Sequence, residues 1–535
     1  MDISSPPAFN TLAGLIGGHA ASRPDSVALV VGQHRMRYGE LDALMSRVAR
    51  ALAQHGVRAG ETIAVCASSS IEYAGVFLGA LRAGVVVAPL APSSTAQSLG
   101  RMIEDAQARI VFTDASCVDL LSLGMQIRSQ NVPRVLLDDA IGSEGFSHWL
   151  ATSDKQGGDG KTFHDFPEIK PESAFNIIYS SGTTGEPKGI VQSHGMRWAH
   201  IQRGSAYGYG PDTVTLLSTP LYSNTTLVVF IPTLAFGGTA CLMPKFEADD
   251  YLNLAQLHRV THTMLVPVQY QRLMSRPDFD TFDLSSYKIK FCTSAPFAAE
   301  LKADVLKRWP GGLVEFYGMT EGGGTCILEA HLHPDKLHTV GRPSLNHDIR
   351  LIDDAGRVVG PGEAGEVVGH SGSMMNGYHG QPHKTREAEW FDETGKRFIR
   401  TGDIGRFDGD GFLTLFDRRK DMIISGGFNI YPSDLEAVVS AHPQVQEVAV
   451  VGVPSIQWGE TPVAFIVKKR SVQGETDLGA ADLMGWANAQ LGKTQRLASV
   501  ILVDELPRSA IGKVLKRELR ERYAEIGSAP EHLLA

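Results

Sequence analysis

A chain of 535 residues is too long for one hydrophobic core, so two or more packed units are expected. Hydrophobic residues make up 43% and charged residues 20%, as in an ordinary globular protein. A formal net charge of −9 excludes a nucleic-acid binder that relies on a broad basic face, but not a local site for a small anion.

In chain order, VALVV (27–31) and MRYG (36–39) predict a hairpin around Gly32. Leu41, Leu44, Val48 and Leu52 then recur at helical spacing. TIAVC (62–66) and VVVAP (85–89) predict buried strands on either side of a helix through 73–81, and a helix over 96–108 precedes the strand RIVFT (109–113). This βαβα alternation predicts a largely parallel sheet with helices on both faces. Residues 153–162 predict a polar loop. Residues 213–244 carry no charge, but Pro220, Pro232, Gly237, Gly238 and several hydroxyl side chains interrupt them, so a core helix and strand are expected rather than a membrane span. The pattern restarts after DRRKD (417–421). ISGGFNIYP (424–432) predicts a loop, Ser433 and Glu436 a capping box, and residues 421–535 a small α+β domain.

Cys66, Cys117, Cys241, Cys292 and Cys326 contain no CxxC pair and are odd in number, which points to a reducing compartment. The start MDISSPPAFN lacks the features of a secretory signal, and the end EHLLA is no peroxisomal address, so a cytoplasmic location is expected.

The strongest local signal follows the strand AFNIIY (174–179). Ser180-Ser181-Gly182-Thr183-Thr184-Gly185-Glu186-Pro187-Lys188-Gly189 offers backbone N–H groups freed by glycine, four hydroxyls and one cation, which suits a polyphosphate. It is not a Walker A loop, because Lys188 is followed by Gly189 and a strand-like IVQSH rather than Ser/Thr and a helix. A plain Ser/Gly surface turn is the bland alternative.

This string resembles the signature loop of the adenylate-forming superfamily, which contains acyl-CoA synthetases, peptide-synthetase adenylation domains and beetle luciferases. The resemblance extends over roughly residues 10–520, with further motifs in the same order. It implies a large N-terminal α/β domain of layered sheets (1–419), binding ATP and acid, joined by a hinge at Lys420 to a small mobile α+β domain (420–535). Tyr317-Gly318-Met319-Thr320-Glu321 is similar to the motif whose tyrosine packs on adenine, whose threonine meets the α-phosphate and whose glutamate helps hold Mg²⁺; Thr184 is implied beside that ion. Ser294-Ala295-Pro296 resembles the segment along the adenine. Thr401-Gly402-Asp403 and Arg418 resemble the ribose-binding residues. Gly426 and Gly427 resemble the stretch that admits the pantetheine arm of coenzyme A. Lys513, in PRSAIGK (507–513), resembles the catalytic lysine. The acyl pocket is implied at Tyr222, Ser223, Asn224, Phe291, Gly322 and Gly323, with Ser223 standing where relatives carry histidine.

The implied reaction joins a carboxylic acid to AMP with loss of pyrophosphate, then transfers the acyl group to coenzyme A. ATP, Mg²⁺ and coenzyme A are the implied cofactors, and a homodimer is compatible with the resemblance. No Arg or Lys lies inside the pocket strings to grip a second carboxylate, which favours a monocarboxylic acid with an aromatic, alicyclic or medium aliphatic body. The rivals are an adenylation enzyme that loads an amino or aryl acid onto a carrier protein, and a nucleotide sensor without turnover. His331, His333 and His338 near Glu329 are expected to be loop residues rather than a metal site.

Overall fold

A computed structural model describes residues 8–128, 131–138, 145–155, 167–180, 188–418, 421–425, 428–455, 458–469, 478–492, 495–509 and 513–528. Contacts divide the chain into one unit of Met1–Ile349 with Val368–Arg400 and a second of Arg350–Val367 with Thr401–Ala535.

The first unit is built on two sheets. One has seven strands in the order Gly377–Tyr378, Lys188–Ser193, Ala174–Ser180, Val86–Pro89, Thr62–Cys66, Val111–Thr113, Arg134–Leu136. From Ala174–Ser180 outward to Arg134–Leu136 the pairings are parallel, as the βα alternation requires, and the Val-rich strands are buried on both faces. Lys188–Ser193 runs antiparallel to Ala174–Ser180, with Ser180 opposite Lys188. The other sheet has nine strands in the order Arg342–Pro343, Cys326–Glu329, Gly312–Tyr317, Ile289–Cys292, His262–Leu265, Val214–Leu217, Thr239–Leu242, Val27–Val31, His34–Arg37.

One continuous apolar core joins the two sheets through helices that supply it from both sides. It contains Val65, Val87 and Phe175 of the first sheet and Leu29, Leu217, Met264, Phe291 and Val314 of the second. Fully burying each such side chain contributes about 1.5–3 kcal/mol. Helices Tyr38–Gln54 and Ile71–Arg82 pack closely, because a Cβ on Gly79 would fall 2.6 Å from Cβ of Val48.

The uncharged stretch 213–244 forms strand Val214–Leu217, helix Asn224–Ala235 and strand Thr239–Leu242, a core βαβ unit. Among the described residues no helix is long and apolar enough to cross a membrane. All five cysteines are buried and unbridged. Burial favours the neutral thiol at Cys241, whose pKa rises to about 12.

The second unit carries a sheet ordered Phe428–Ile430, Ile423–Ser425, Gly459–Lys468, Val445–Ser455, with Ser499–Leu502 parallel to Gly459–Lys468. Helices Pro432–Ser440 and Ala480–Gln490 cover one apolar face through Leu435, Val439, Leu483 and Ala487.

Three local expectations differ from the structure. Residues 424–432 are not all loop: Ile423–Ser425 and Phe428–Ile430 pair antiparallel. The capping box at Ser433 does not form, because the helix starts one residue earlier at Pro432; the Ser433 hydroxyl donates to the Phe416 carbonyl, and Glu436 accepts from Val450 N at 2.8 Å. Residues 153–155 finish helix Phe146–Lys155 rather than opening a loop, and 156–162 lie outside the described residues.

Candidate active site

The phosphate-loop string is a connection between two antiparallel strands. Ser181, Gly182, Thr183, Thr184 and Gly185 lie outside the described residues, whereas the ends of the loop are placed: Ser180 closes one strand and Lys188 opens the next. A strand on each side distinguishes this loop from one that opens a helix. Its base is anchored by Tyr179, whose hydroxyl donates to Asp105 Oδ2 at 2.7 Å and contacts the Met102 carbonyl at 3.1 Å.

Lys188 Nζ stands 5.2 Å from the centre of the Tyr378 ring. The Tyr378 hydroxyl in turn donates to Glu321 Oε1 at 2.9 Å. Burial, then the neighbouring Glu321 carboxylate, pushes the Tyr378 phenol well above its ordinary range, so it remains a donor. The glutamate of the Tyr317–Glu321 string and the lysine of the phosphate loop are thereby brought to one tyrosine. With Oε1 taken by the phenol, Oε2 remains for a hard cation, so this group suits Mg²⁺ bound together with phosphate oxygens. Among the described residues no cluster of three or more His, Cys, Asp or Glu could hold a metal by itself. His331 turns its Nδ1 to the Leu313 carbonyl at 3.1 Å.

Tyr317 ends strand Gly312–Tyr317, and Gly318 to Glu321 follow it as the chain leaves the sheet. Gln192 Nε2 fixes this turn by donating to the Thr320 carbonyl at 2.7 Å, and it also reaches Asn224 Oδ1 at 3.3 Å. Behind Gln192, the buried Arg197 guanidinium donates to Gln192 Oε1 and, at 3.2 Å, to Asn176 Oδ1. Such a buried polar chain costs stability if any member is lost, and so holds its members in one arrangement. The glycines after Glu321 are demanded by backbone approach. Gly322 has φ +79, and a Cβ there would fall 1.9 Å from the Ser373 carbonyl oxygen; a Cβ on Gly323 would fall 2.9 Å from that of Gly369.

Ser294, at the head of the Ser-Ala-Pro segment, has φ +84, a left-handed conformation that is uncommon outside glycine. Its hydroxyl bonds to Thr225 Oγ1 at 2.7 Å, and the preceding Thr293 hydroxyl donates to the Phe316 carbonyl at 2.8 Å. These bonds tie the segment with Ala295 and Pro296 to both the tyrosine strand and helix Asn224–Ala235. Ser223, in the place usual for histidine, is the N-cap of that helix: its Oγ accepts from Thr225 N at 3.3 Å. Tyr222 is part-buried, and Phe291 is buried with its ring stacked on Phe316 at 5.4 Å between centroids.

In the second unit, Asp403 and Arg418 are register partners on adjacent antiparallel strands, and Asp403 N is held by Thr401 Oγ1 at 3.0 Å. Lys420, Gly426 and Gly427 lie outside the described residues. Lys513 is tied to Ser509, through Ser509 N to the Lys513 carbonyl at 2.8 Å and Lys513 N to Ser509 Oγ at 3.2 Å.

Tyr378, Gln192 and Arg197 were not legible as site residues. Tyr378 is 57 positions from Glu321, and Gln192 is 128 from Thr320, so no local spacing joins them.

Comparison with known proteins identifies the family. The family described as AMP-binding enzyme matches residues 18–379, and the AMP-binding enzyme C-terminal domain matches 434–513. A feruloyl-CoA synthase from an Amycolatopsis species is 32% identical over 515 residues, covering 94% of this chain and 97% of that protein. An indoleacetate–CoA ligase from Aromatoleum aromaticum is 30% identical over 526 residues, covering 96% and 98%. The crystal structure of ATP-bound MatB from Rhodopseudomonas palustris superposes with a TM-score of 0.84 at 29% identity, covering 96% of this chain and 99% of that one. The chain therefore belongs to the AMP-binding enzyme family.

Proposed function

We propose that this enzyme is an ATP-dependent carboxylic acid–CoA ligase acting in the cytoplasm on an acid with an aromatic body. The observation that supports the first half-reaction is the Lys188–Tyr378–Glu321 group, in which one phenol borders the loop cation and bonds the carboxylate that would hold Mg²⁺. Relatives matched over nearly their whole length, and named for feruloyl and indoleacetate thioesters, support coenzyme A as acceptor and an aromatic acid as donor.

In step one the acid carboxylate attacks the α-phosphorus of ATP and pyrophosphate leaves. The protein's work is to position two anions and offset their charge. Lys188 and the 180–189 loop hold the departing pyrophosphate. Thr320 meets the α-phosphate, with its backbone fixed by Gln192. Bound Mg²⁺ would neutralise phosphate charge beside Glu321 and Thr184. Tyr317 and the Ser294–Pro296 segment hold the adenine, and Asp403 with Arg418 the ribose. Lys513 serves this step alone.

In step two the thiol of coenzyme A attacks the acyl carbon and AMP leaves. We place the change between steps in a rotation of the region after 419 about Lys420, with Gly426 and Gly427 admitting the pantetheine arm. Acid-dependent exchange of pyrophosphate into ATP tests the first step: exchange driven by aryl acids supports the reading, and none with any acid contradicts it.

A further inference from the structure

Arg203, near the end of helix His194–Gly204, lies outside every motif and faces a narrow cavity. The cavity is lined by Arg203, Tyr207, Tyr209, Val228, Phe291 and Phe316, among others. It belongs with the acid site by construction. Phe291 and Phe316 are the inner residues of the two parallel strands whose ends lead to Ser294 and Tyr317. Val228 lies on the helix that starts at Asn224, so at about 1.5 Å per residue it is roughly 6 Å deeper along the axis, and Pro232, also on the wall, roughly 12 Å deeper.

The cavity holds donors that lack acceptors. The Arg203 guanidinium is packed on the Phe316 ring, 4.7 Å from its centre, and among the described residues it has neither a hydrogen bond nor an ion pair. The buried Tyr209 hydroxyl has no hydrogen-bond partner. His200 Nδ1 accepts from Arg197 Nη1 at 3.4 Å, so its Nε2 carries a proton and is a third donor at the wall. Burial, then Arg203 and Arg197, holds His200 neutral. A buried hydroxyl left unpaired is costly unless something supplies an acceptor, and the part-buried Arg203 guanidinium on the same wall brings the charge that would attract one.

We propose that Arg203, aided by Tyr209, is a specificity residue that binds an oxygen acceptor at the end of the acid remote from its reacting carboxylate. The inference rests on the ligase reading for the direction in which the acid lies. The acceptor is a hydroxyl, ether or carbonyl oxygen, or a second carboxylate; all present the same lone pairs to the guanidinium. An aryl acid lacking that oxygen leaves both donors unpaired, and is discriminated against by the desolvation cost of the site rather than by shape.

The test compares cinnamate with 4-hydroxy-, 4-methoxy- and 4-carboxycinnamate in the wild-type enzyme, Arg203→Met and Tyr209→Phe. Both kcat/KM for thioester formation and the calorimetric Kd of each acid are measured. Preference is read as a ratio within each protein, so a general loss of activity cancels, and Tyr209→Phe removes only one oxygen if Arg203→Met folds poorly. The wild type is expected to prefer an oxygenated acid by about 10–100-fold, the worth of a hydrogen bond to a charged group. Arg203→Met is expected to abolish the preference, and Tyr209→Phe to reduce it. A larger ratio for the 4-carboxy than the 4-hydroxy acid identifies an anionic acceptor, and the reverse a neutral one. No preference in the wild type, or a full preference in both variants, overturns the proposal while leaving the ligase reading intact. If no acid forms a thioester, the ligase reading falls and the Kd ratios alone decide: an Arg203-dependent ratio sustains the acceptor site, and equal Kd values overturn it.

Discussion

The Tyr378 hydroxyl donates to Glu321 Oε1 across 2.9 Å, and the same ring lies 5.2 Å from Lys188 Nζ. One phenol thus orients the carboxylate proposed to hold Mg²⁺ and borders the lysine at the loop's end. Tyr378→Phe removes the bond and keeps the ring. A hydrogen bond to a charged group contributes about 1.5–3 kcal/mol, so the Mg²⁺ concentration for half-maximal pyrophosphate exchange is expected to rise about 10–100-fold. An unchanged Mg²⁺ dependence would show that Tyr378 does not orient Glu321.

Lys302 and Glu315 form a buried ion pair at 2.5 Å, and Lys302 also donates to the Leu337 carbonyl at 2.8 Å. Glu315 lies two residues before Tyr317, so the pair anchors the strand that Tyr317 ends. Lys302→Met leaves a buried carboxylate unpaired and is expected to cost about 3–5 kcal/mol in urea unfolding. Burial raises the Glu315 pKa, and Lys302 opposes that rise. With the lysine gone, the folded-state pKa stays above the unfolded one, so the variant is expected to lose stability as pH rises from 5 to 8. A cost below about 1 kcal/mol would contradict the pairing.

His194 and His262 are buried, and desolvation lowers both pKa values to about 4. In the unfolded chain histidine titrates near 6.5, so below that pH the unfolded state takes up protons that the folded state refuses. Their contribution is fully present above pH 6.5 and is lost as pH falls toward 4. Stability is expected to drop by about 1.4 kcal/mol per pH unit for each histidine in this window. His262 bonds at Nε2 to the Tyr207 carbonyl at 2.9 Å, which His262→Gln can imitate, so that variant should show a shallower slope in urea midpoints measured from pH 8 to pH 5. A wild-type midpoint independent of pH would contradict the assignment.

If Lys513 serves adenylation alone, Lys513→Ala is expected to slow pyrophosphate exchange by several hundred-fold, equivalent to about 3–4 kcal/mol of lost electrostatic stabilisation. The same variant should convert supplied acyl-AMP and coenzyme A to thioester at close to the wild-type rate. Equal losses in both steps would refute a role confined to the first.

Much of the fold was legible because burial writes itself into apolar runs. TIAVC and VVVAP became adjacent parallel strands, and the uncharged stretch 213–244 became a βαβ unit. Short elements were less legible. Ile423–Ser425 and Phe428–Ile430 are three residues each, and their pairing outweighs the loop character of the glycines between them. Ser433 matched a capping signature, yet its hydroxyl serves the Phe416 carbonyl because Pro432 already starts the helix.

The motif residues were legible by position; the side chains that hold them were not. Gln192 and Tyr378 act through single long-range bonds, and Arg203 has no sequence neighbour that marks it as lining a cavity. Ser223 looked anomalous beside relatives, and its observed work is to cap a helix.

The central claim is best tested by AMP release from Mg·ATP with an aryl acid such as ferulate or indoleacetate, measured with and without coenzyme A. The account predicts sustained AMP release that requires both the acid and coenzyme A, with one acyl-CoA formed per AMP. Acid-driven pyrophosphate exchange to which coenzyme A adds no turnover would contradict it and point to a different acyl acceptor.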